Sequence, residues 1–179
     1  DPKATGLMIV CTGKMTKSLN DLLGSDKEYE GILVLGEKTK SFDTETEVYE
    51  KNPVEHLTAD LINEAVKSFT GEITQVPPMY SAVKHKGKPL YKLARKGKEL
   101  ERTPRTVLIR EFEIEDVSLP EVKFRVLCSK GTYIRTLISD LGDMLGVGAH
   151  LKELRRLKIG KYDIKDSITV DEFIVFNKN

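Results

Sequence analysis

The sequence has few of the residues that build metal, disulfide or membrane sites. Its 179 residues include two cysteines and three histidines, without the spacing of a zinc site or the density of a disulfide scaffold. We therefore expect reduced, buried thiols at Cys11 and Cys128, and no metal. No apolar run approaches the roughly 18 residues of a membrane span, and no leader opens the chain. A cytoplasmic protein with no membrane contact is predicted.

The familiar short motifs of catalysis are also missing. There is no phosphate-binding P-loop, no dinucleotide fingerprint and no nucleophile elbow. Carboxylates remain as the plausible reactive groups. A carboxylate used as a nucleophile must stay ionised. A facing arginine lowers the pKa of the carboxyl group and so keeps it ionised.

Charge is unevenly distributed, although the formal net charge is only +1. Lys84 to Arg105 holds nine basic residues against two acids, and Lys152 to Lys165 holds six against two. Asp21 to Glu64 holds twelve acids against four lysines. A solvated surface explains any one cluster, but two basic segments in a nearly neutral protein favour a polyanion partner, nucleic acid ahead of a membrane.

Length and pattern predict one α+β domain over residues 1–179, because strand-like and helix-like runs interleave irregularly and some strands are adjacent. The predicted strands are Leu7–Cys11, the run from Lys27 toward Thr39, Val107–Val117 and Glu121–Ser129. The predicted helices are Thr16–Leu23, one capped by Thr58 and closed by Gly71, a short one after Pro89, and a last one opened by the Thr169/Glu172 capping box. Residues 146–162 are interpreted as a glycine-rich turn followed by a short basic segment.

One further helix carries an unexpected charge. In CSKGTYIRTLISDLGDMLG, residues 128–146, the apolar residues from Ile134 to Leu145 follow helical spacing. Arg135 lies in the first turn, where the helix dipole disfavours a cation. No carboxylate stands three or four positions away. The partner of Arg135 must therefore come from elsewhere in the chain.

Several separated segments resemble one known family. They are DPKATG at residue 1, DKEYEGILVLGEKTKSFDTETEV at 26, VPPMYSAVKHKGKPLYKLARKG at 76, the Arg135 segment, and GAHLKELRR at 148. In order and spacing they resemble the TruB family of tRNA pseudouridine synthases, over nearly the whole chain.

The resemblance implies a pseudouridine synthase fold, with a central mixed, mostly antiparallel sheet flanked by helices and loops. It implies an isomerase that converts uridine 55 in the T-loop of tRNA to pseudouridine, with RNA held across a basic cleft. No metal or organic cofactor is required. The extruded base is held by stacking and edge hydrogen bonds. Whether Asp1 attacks C1′ or removes the C2′ proton stays open.

The same resemblance implies roles for individual residues. Asp1 matches the family's catalytic aspartate, and Arg135 matches the arginine that pairs with it. Tyr29 matches the tyrosine that stacks on the base and is a candidate for the proton step at C5. Further substrate-binding residues are expected to be Tyr133, Lys130, Leu154, Lys84, His85 and Lys86. Asp43 matches a motif acid whose role stays open.

Two departures from the family pattern add expectations. The sequence begins at Asp1, so an upstream segment is expected to be missing, and this chain alone is expected to be poorly active. No C-terminal PUA RNA-binding module is expected, and a monomer is expected. Two alternatives remain: a module that binds and remodels the tRNA T-arm without catalysis, and a protein-interaction domain that uses the acidic segment.

Overall fold

The computed structural model describes residues 3–176. Its strands are β1 (Thr5–Gly6), β2 (Lys27–Leu35), β3 (Glu37–Thr39), β4 (Val48–Lys51), β5 (Gly71–Gln75), β6 (Lys84–His85), β7 (Lys88–Pro89), β8 (Arg105–Ser118), β9 (Glu121–Cys128), β10 (Ala149–Ile159) and β11 (Tyr162–Asp163). Its helices are α1 (Leu19–Gly24), α2 (Ala59–Lys67), α3 (Leu90–Ala94), α4 (Ile134–Met144) and α5 (Val170–Phe176), with short 3-10 turns at Gly13–Ser18 and Ile164–Asp166.

Within the described residues, seven strands form one mixed sheet. Six follow the order β1-β10-β2-β9-β8-β5, and β11 pairs with the end of β10. Every neighbouring pair in this sheet is antiparallel except β1 with β10. Two small hairpins, β3–β4 and β6–β7, stand apart from it. The predicted α+β class with a mostly antiparallel sheet is confirmed.

The core lies between the sheet and two helices. In β9, Val122, Phe124 and Val126 alternate with more exposed residues and are fully buried, as expected for a strand with one face in the core. Helix α4 contributes Leu137 and Leu141 to the same cluster, and α2 packs beside it. The Thr58 hydroxyl accepts a hydrogen bond from the Leu61 amide, so the predicted N-cap of α2 is confirmed.

Near the start of the described chain, the structure differs from the strand predicted from sequence. The predicted strand over Leu7–Cys11 is wrong: only Leu7 is buried, while Met8 and Val10 are more than 70% exposed. The chain pairs with β10 only at Thr5–Gly6 and then leaves the sheet edge. Consequently Cys11 is only partly buried, whereas Cys128 is buried as predicted.

The turn and short basic segment predicted at 146–162 are also wrong, because a strand is present where none was predicted. This region forms β10, an eleven-residue strand between β1 and β2. Its register with β2 shifts between Leu151 and Glu153 and again between Arg156 and Lys158. These irregularities break the alternation by which a strand is recognised in sequence.

The remaining predicted elements occur near their expected positions. β8 and β9 pair as predicted, α3 follows Pro89, and the Thr169/Glu172 capping box precedes α5. Helix α1 is shorter than predicted because its first part is a 3-10 turn. Among the described residues, no helix is both long and apolar enough to cross a membrane.

Candidate active site

Arg135 lies in the first turn of α4 and is almost fully buried, with 8% of its surface exposed. Its Nη1 is 3.2 Å from Asp43 Oδ2 and donates a hydrogen bond to the Ser41 carbonyl at 3.1 Å. Its Nη2 donates to the Tyr80 carbonyl at 2.8 Å. Among the described residues, Asp43 is thus a carboxylate partner from elsewhere in the chain, and its charge compensates the burial of the cation. Pairing of Arg135 with Asp1 stays a prediction.

The loop that carries Asp43 is fixed by its own hydrogen bonds. Asp43 Oδ1 accepts from the Glu45 amide at 2.8 Å, and its carbonyl accepts from the hydroxyls of Thr39 and Ser41. Ser41 is fully buried and Asp43 is 5% exposed. We call residues 39–46 the Asp43 loop. Because the loop bonds to itself, the Asp43 carboxylate is positioned before any ligand arrives.

The start of α4 is held by a buried glutamine. Gln75, the last residue of β5, is fully buried. Its Nε2 donates to the Tyr133 carbonyl at 3.2 Å, and its Oε1 accepts from the Tyr133 amide at 3.1 Å. The Arg105 guanidinium lies 5.4 Å from the centre of the Tyr133 ring, within cation–π range. These contacts fix Tyr133 and the helix turn that carries Arg135.

Tyr29 lies in β2 directly opposite Arg156 of β10. Burial raises the pKa of the Tyr29 phenol, and Arg156 opposes that rise through its charge and a hydrogen bond. The Arg156 Nε also donates to the Leu7 carbonyl at 2.8 Å, while the Leu7 amide donates to the Arg156 carbonyl at 2.8 Å. Arg156 thus ties the segment after β1 to the strand beside Tyr29.

β1 approaches β10 so closely that a side chain is excluded. Gly6 has a φ of +96°, and a Cβ there would collide with the Arg156 backbone. Glycine is the residue that adopts this conformation without strain. Gly6, the glycine of the opening ATG, therefore allows the backbone of β1 to lie against Arg156 of β10.

These elements enclose a cleft of about 360 Å³, which we call the first cleft. Among the described residues its lining includes Tyr29, Arg135 and Arg156, and the charge of Arg135 is compensated by Asp43, which lies outside the lining. Its lining residues are Ala4, Thr5, Gly6, Leu7, Met8, Tyr29, Thr132, Tyr133, Ile134, Arg135, Leu154 and Arg156.

The structure brings together only part of the predicted site. Tyr29, Tyr133, Arg135 and Leu154 line the first cleft. Asp1 lies outside the described residues. The other predicted substrate-binding residues do not line the cleft: they are Lys130, which is exposed, and Lys84, His85 and Lys86, which lie in or beside the exposed β6–β7 hairpin.

Sequence reasoning missed two polar residues of the site. Arg156 stands in the GAHLKELRR segment already quoted for the family resemblance, so that segment was the available signal. Gln75 had no such signal, because a glutamine at the end of a short strand is ordinary. Asp43, whose role was left open, is now located as an ion-pair partner of Arg135.

Comparison with known proteins decides the family. The family model of the TruB family pseudouridylate synthase N-terminal domain matches residues 1–134, and that of the tRNA pseudouridylate synthase B C-terminal domain matches residues 135–176. The chain belongs to the TruB family. The resemblance inferred from sequence motifs is confirmed, as is membership of a family of isomerases.

Relatives in this family are similar over most of their length. The tRNA pseudouridine synthase B of Flavobacterium johnsoniae is 50% identical over 97% of this chain and 76% of its own. That of Chlorobaculum tepidum is 49% identical, over 97% and 73% respectively.

Solved structures show the same fold. A chain in a crystal structure of a Cbf5-Nop10-Gar1 complex matches with a TM-score of 0.73 and 31% identity, covering 99% of this chain and 44% of its own. A chain in an H/ACA RNP bound to a substrate RNA containing 2′-deoxyuridine matches with a TM-score of 0.71 and 28% identity, covering 99% and 42%. The predicted pseudouridine synthase fold is confirmed.

Proposed function

We propose that this TruB family chain isomerises uridine 55 in the T-loop of tRNA to pseudouridine, with Asp1 as the catalytic aspartate. The observation that carries the proposal is the convergence of Tyr29, Arg135 and Leu154 on one cleft, whose lining also includes Ala4. Asp1 precedes Ala4 by three positions in the sequence. The relatives named tRNA pseudouridine synthase B support a tRNA substrate.

The chemistry suits the first cleft. In the reaction the bond from C1′ to N1 of uracil breaks and a bond from C1′ to C5 forms, while C5 loses a proton and N1 gains one. No atom is added, so the chain needs to promote cleavage at C1′, the role proposed for the Asp1 carboxylate, and to hold, turn and deprotonate the base. Tyr29 offers an aromatic face for stacking, worth about 1–3 kcal/mol per base. Burial raises the pKa of its phenol and Arg156 opposes that rise only in part, so the hydroxyl is protonated when the RNA binds.

Charge supports RNA as the substrate. The β6–β7 hairpin is exposed and carries Lys84, Lys86 and Lys88. In contrast, part of the acidic segment is already paired with the rest of the chain: Glu28 contacts Arg125 and Lys158, and Glu45 contacts Arg95. Such internal pairing leaves the acidic segment less available to a protein partner.

Tritium release from tRNA labelled at uracil C5 tests the proposal. The unaltered chain, expected to be poorly active, should release tritium slowly but measurably, and Asp1→Asn is expected to bind tRNA but release none. Tyr29→Phe keeps the stacking face and removes the hydroxyl, so we expect release to slow about 10²- to 10⁴-fold with little change in binding. Tyr162→Phe, at an exposed tyrosine outside the first cleft, is the matched control.

Two outcomes would contradict the proposal. Release that is unchanged in Asp1→Asn would remove Asp1 from the reaction. Binding of tRNA with no release from the unaltered chain would favour the alternative of a T-arm binding module without catalysis.

A further inference from the structure

Lys3, at the start of the described chain, is bonded to the Asp43 loop. Its Nζ donates to the Thr44 carbonyl at 2.6 Å and to the Thr44 hydroxyl at 2.9 Å. Thr44 directly follows Asp43, whose carboxylate is 3.2 Å from Arg135. We call residues 3–7 the β1 segment. Lys3 thus joins this segment to the loop that holds the buried ion pair, across 41 positions of sequence.

The β1 segment and the Asp43 loop are also neighbours on β10. The Thr5 hydroxyl donates to the Leu154 carbonyl at 3.4 Å. The Asp43 loop reaches the same strand at Leu151, through a β-bridge with Asp43. Between these two contacts the pocket that both segments line measures only about 10 Å³, room for about one water molecule. The Lys3–Thr44 link therefore spans a narrow gap between two segments that β10 already holds.

The sequence makes this link relevant to Asp1. Two residues of extended chain span at most about 7 Å, so the backbone of Asp1 is within that reach of Lys3. Lys3 and Thr44 are both exposed, and contacts of exposed charged side chains contribute little to stability. An effect of Lys3 on the reaction can therefore be separated from an effect on folding.

We propose that Lys3 is a positioning residue for the reaction. By holding Thr44, it sets the start of the β1 segment, and with it Asp1, against the Asp43 loop. This inference rests on the proposed function, in which the Asp1 carboxylate acts on the ribose. Reacting atoms must approach to about 3–3.5 Å, and a misplacement of about 1 Å can slow a reaction about 10²-fold. A link two residues from the carboxylate should therefore control the rate and not the affinity for RNA.

Single-turnover tritium release, with the chain in excess over labelled tRNA, tests the inference. Lys3→Met removes the ammonium and keeps an apolar stem, whereas Lys3→Arg keeps donors that can reach Thr44. We expect Lys3→Met to slow release about 10- to 100-fold at saturating chain. Its affinity for tRNA should change less than about twofold, and Lys3→Arg should recover most of the rate.

Lys123→Met is the matched control. Lys123 and Lys3 line one second cleft, of about 420 Å³, but Lys123 pairs with Glu115 at 3.0 Å. Its replacement removes the same charge from the same cleft and should change the release rate less than about twofold. Both methionine variants should melt within about 2 °C of the unaltered chain. Equal slowing in the two variants would overturn the inference, because loss of charge would then be the cause.

The pH dependence of the rate is a further measurement. Lys3→Met should slow release at every pH and leave the shape of the profile unchanged. A shifted profile would mean that Lys3 acts through its charge on a titrating group, which would overturn a positioning role.

Thr44→Val tests the link from its other side. It removes the hydroxyl acceptor and leaves the carbonyl, so alone it should slow release about two- to fivefold. Added to Lys3→Met it should have little further effect, as in a double-mutant cycle between groups in contact. Full additivity of the two substitutions would overturn the inference.

Amide hydrogen exchange separates this inference from the proposed function, because it requires no RNA. The Glu45 amide is bonded to Asp43, and the Leu7 amide to the Arg156 carbonyl. Lys3→Met should speed exchange of both amides about 3- to 10-fold, and Lys123→Met should leave them unchanged.

The combined outcomes distinguish the two proposals. Faster exchange in Lys3→Met, with no tritium release from the unaltered chain, leaves the Lys3–Thr44 link standing and removes the proposed function. Equal release from Lys3→Met and the unaltered chain overturns this inference and leaves the proposed function standing. Unchanged exchange together with no release from any variant overturns both.

Discussion

At the residue scale, the Asp43 charge should matter because it faces a buried guanidinium. Asp43→Asn keeps the oxygen that accepts from the Glu45 amide, removes the charge opposite Arg135, and replaces the Oδ2 acceptor there with an NH2 donor. Removing one partner of a buried ion pair lowers stability by about 3–5 kcal/mol. We expect the free energy of unfolding, measured by urea denaturation, to fall by about that amount, and tritium release to fall with it.

Asp116→Asn is the matched control for this substitution. Asp116 is exposed and accepts a local hydrogen bond from the Ser118 hydroxyl. Its loss should change stability by less than about 0.5 kcal/mol. Equal effects at Asp43 and Asp116 would contradict a role for the buried ion pair.

A second residue-scale prediction concerns Asp140 on α4. Burial raises the pKa of this carboxyl to about 6, and the nearby Asp143 charge adds to the rise. Well below pH 4 the group is protonated in both folded and unfolded chains, and well above pH 6 it is ionised in both. Between these values the folded chain binds more protons, so stability falls as pH rises.

Asp140→Asn should remove this penalty. We expect the free energy of unfolding to rise by about 1–2 kcal/mol at pH 7 and to change little at pH 4, measured by denaturant titration at both values. Asp166→Asn, at an exposed acid, serves as control. A gain of the same size at both pH values would show that ionisation is not the cause.

Individual site residues were predicted unequally well from sequence. Arg135 stood out because a cation opens a helix and has no local partner, and its buried ion pair with Asp43 agrees with that interpretation. Asp43 itself could not be assigned, because the two residues are 92 positions apart and no periodicity links a loop to a helix. The role of Asp1 stays a prediction.

At the element scale, α4 and β10 meet at a glycine. A Cβ on Gly142 would collide with the backbone of Gly148 and Ala149. In an exposed helix, alanine is favoured over glycine by up to about 1 kcal/mol, but here overpacking should dominate. We expect Gly142→Ala to lower the free energy of unfolding by about 1–3 kcal/mol, measured by thermal or urea unfolding.

Gly24→Ala in α1 is the matched control, because a Cβ at Gly24 meets no atom within 4 Å among the described residues. That variant should be neutral or slightly stabilised. Equal destabilisation of both variants would mean that the contact of Gly142 with Gly148 and Ala149 does not cause the loss of stability.

The elements themselves were predictable where one physical signal dominated. β9 alternates cleanly and α2 has a cap and an apolar face, so both were predicted. β10 was missed because its irregular register disrupts the alternation, and Leu7–Cys11 was assigned as a strand because local apolarity does not reveal whether a partner strand is present. Pairing is a tertiary property that a short window does not contain.

At the scale of the whole molecule, the distribution of charge should control RNA binding. Lys84, Lys86 and Lys88 are exposed on or beside the β6–β7 hairpin. If each neutralises one phosphate, replacing all three by glutamine should lower the slope of log affinity against log salt by about three. The measurement is tRNA binding across a salt series.

Three lysines outside the basic segments provide the comparison: Lys51, Lys67 and Lys17. Replacing these by glutamine removes the same charge and should change the slope by less than one. An equal change in both triple variants would show that net charge, and not the hairpin, governs the affinity.

The position of β10 determines when the site can exist during synthesis. Thr5, Tyr29 and Arg135 line the first cleft, yet β1 pairs with β10 and the Asp43 loop is bridged to Leu151. A nascent chain whose residues 149–159 are still inside the ribosome lacks the strand that joins these parts. The first cleft, whose lining includes Leu154 and Arg156, therefore forms only after residues 149–159 have left the ribosome.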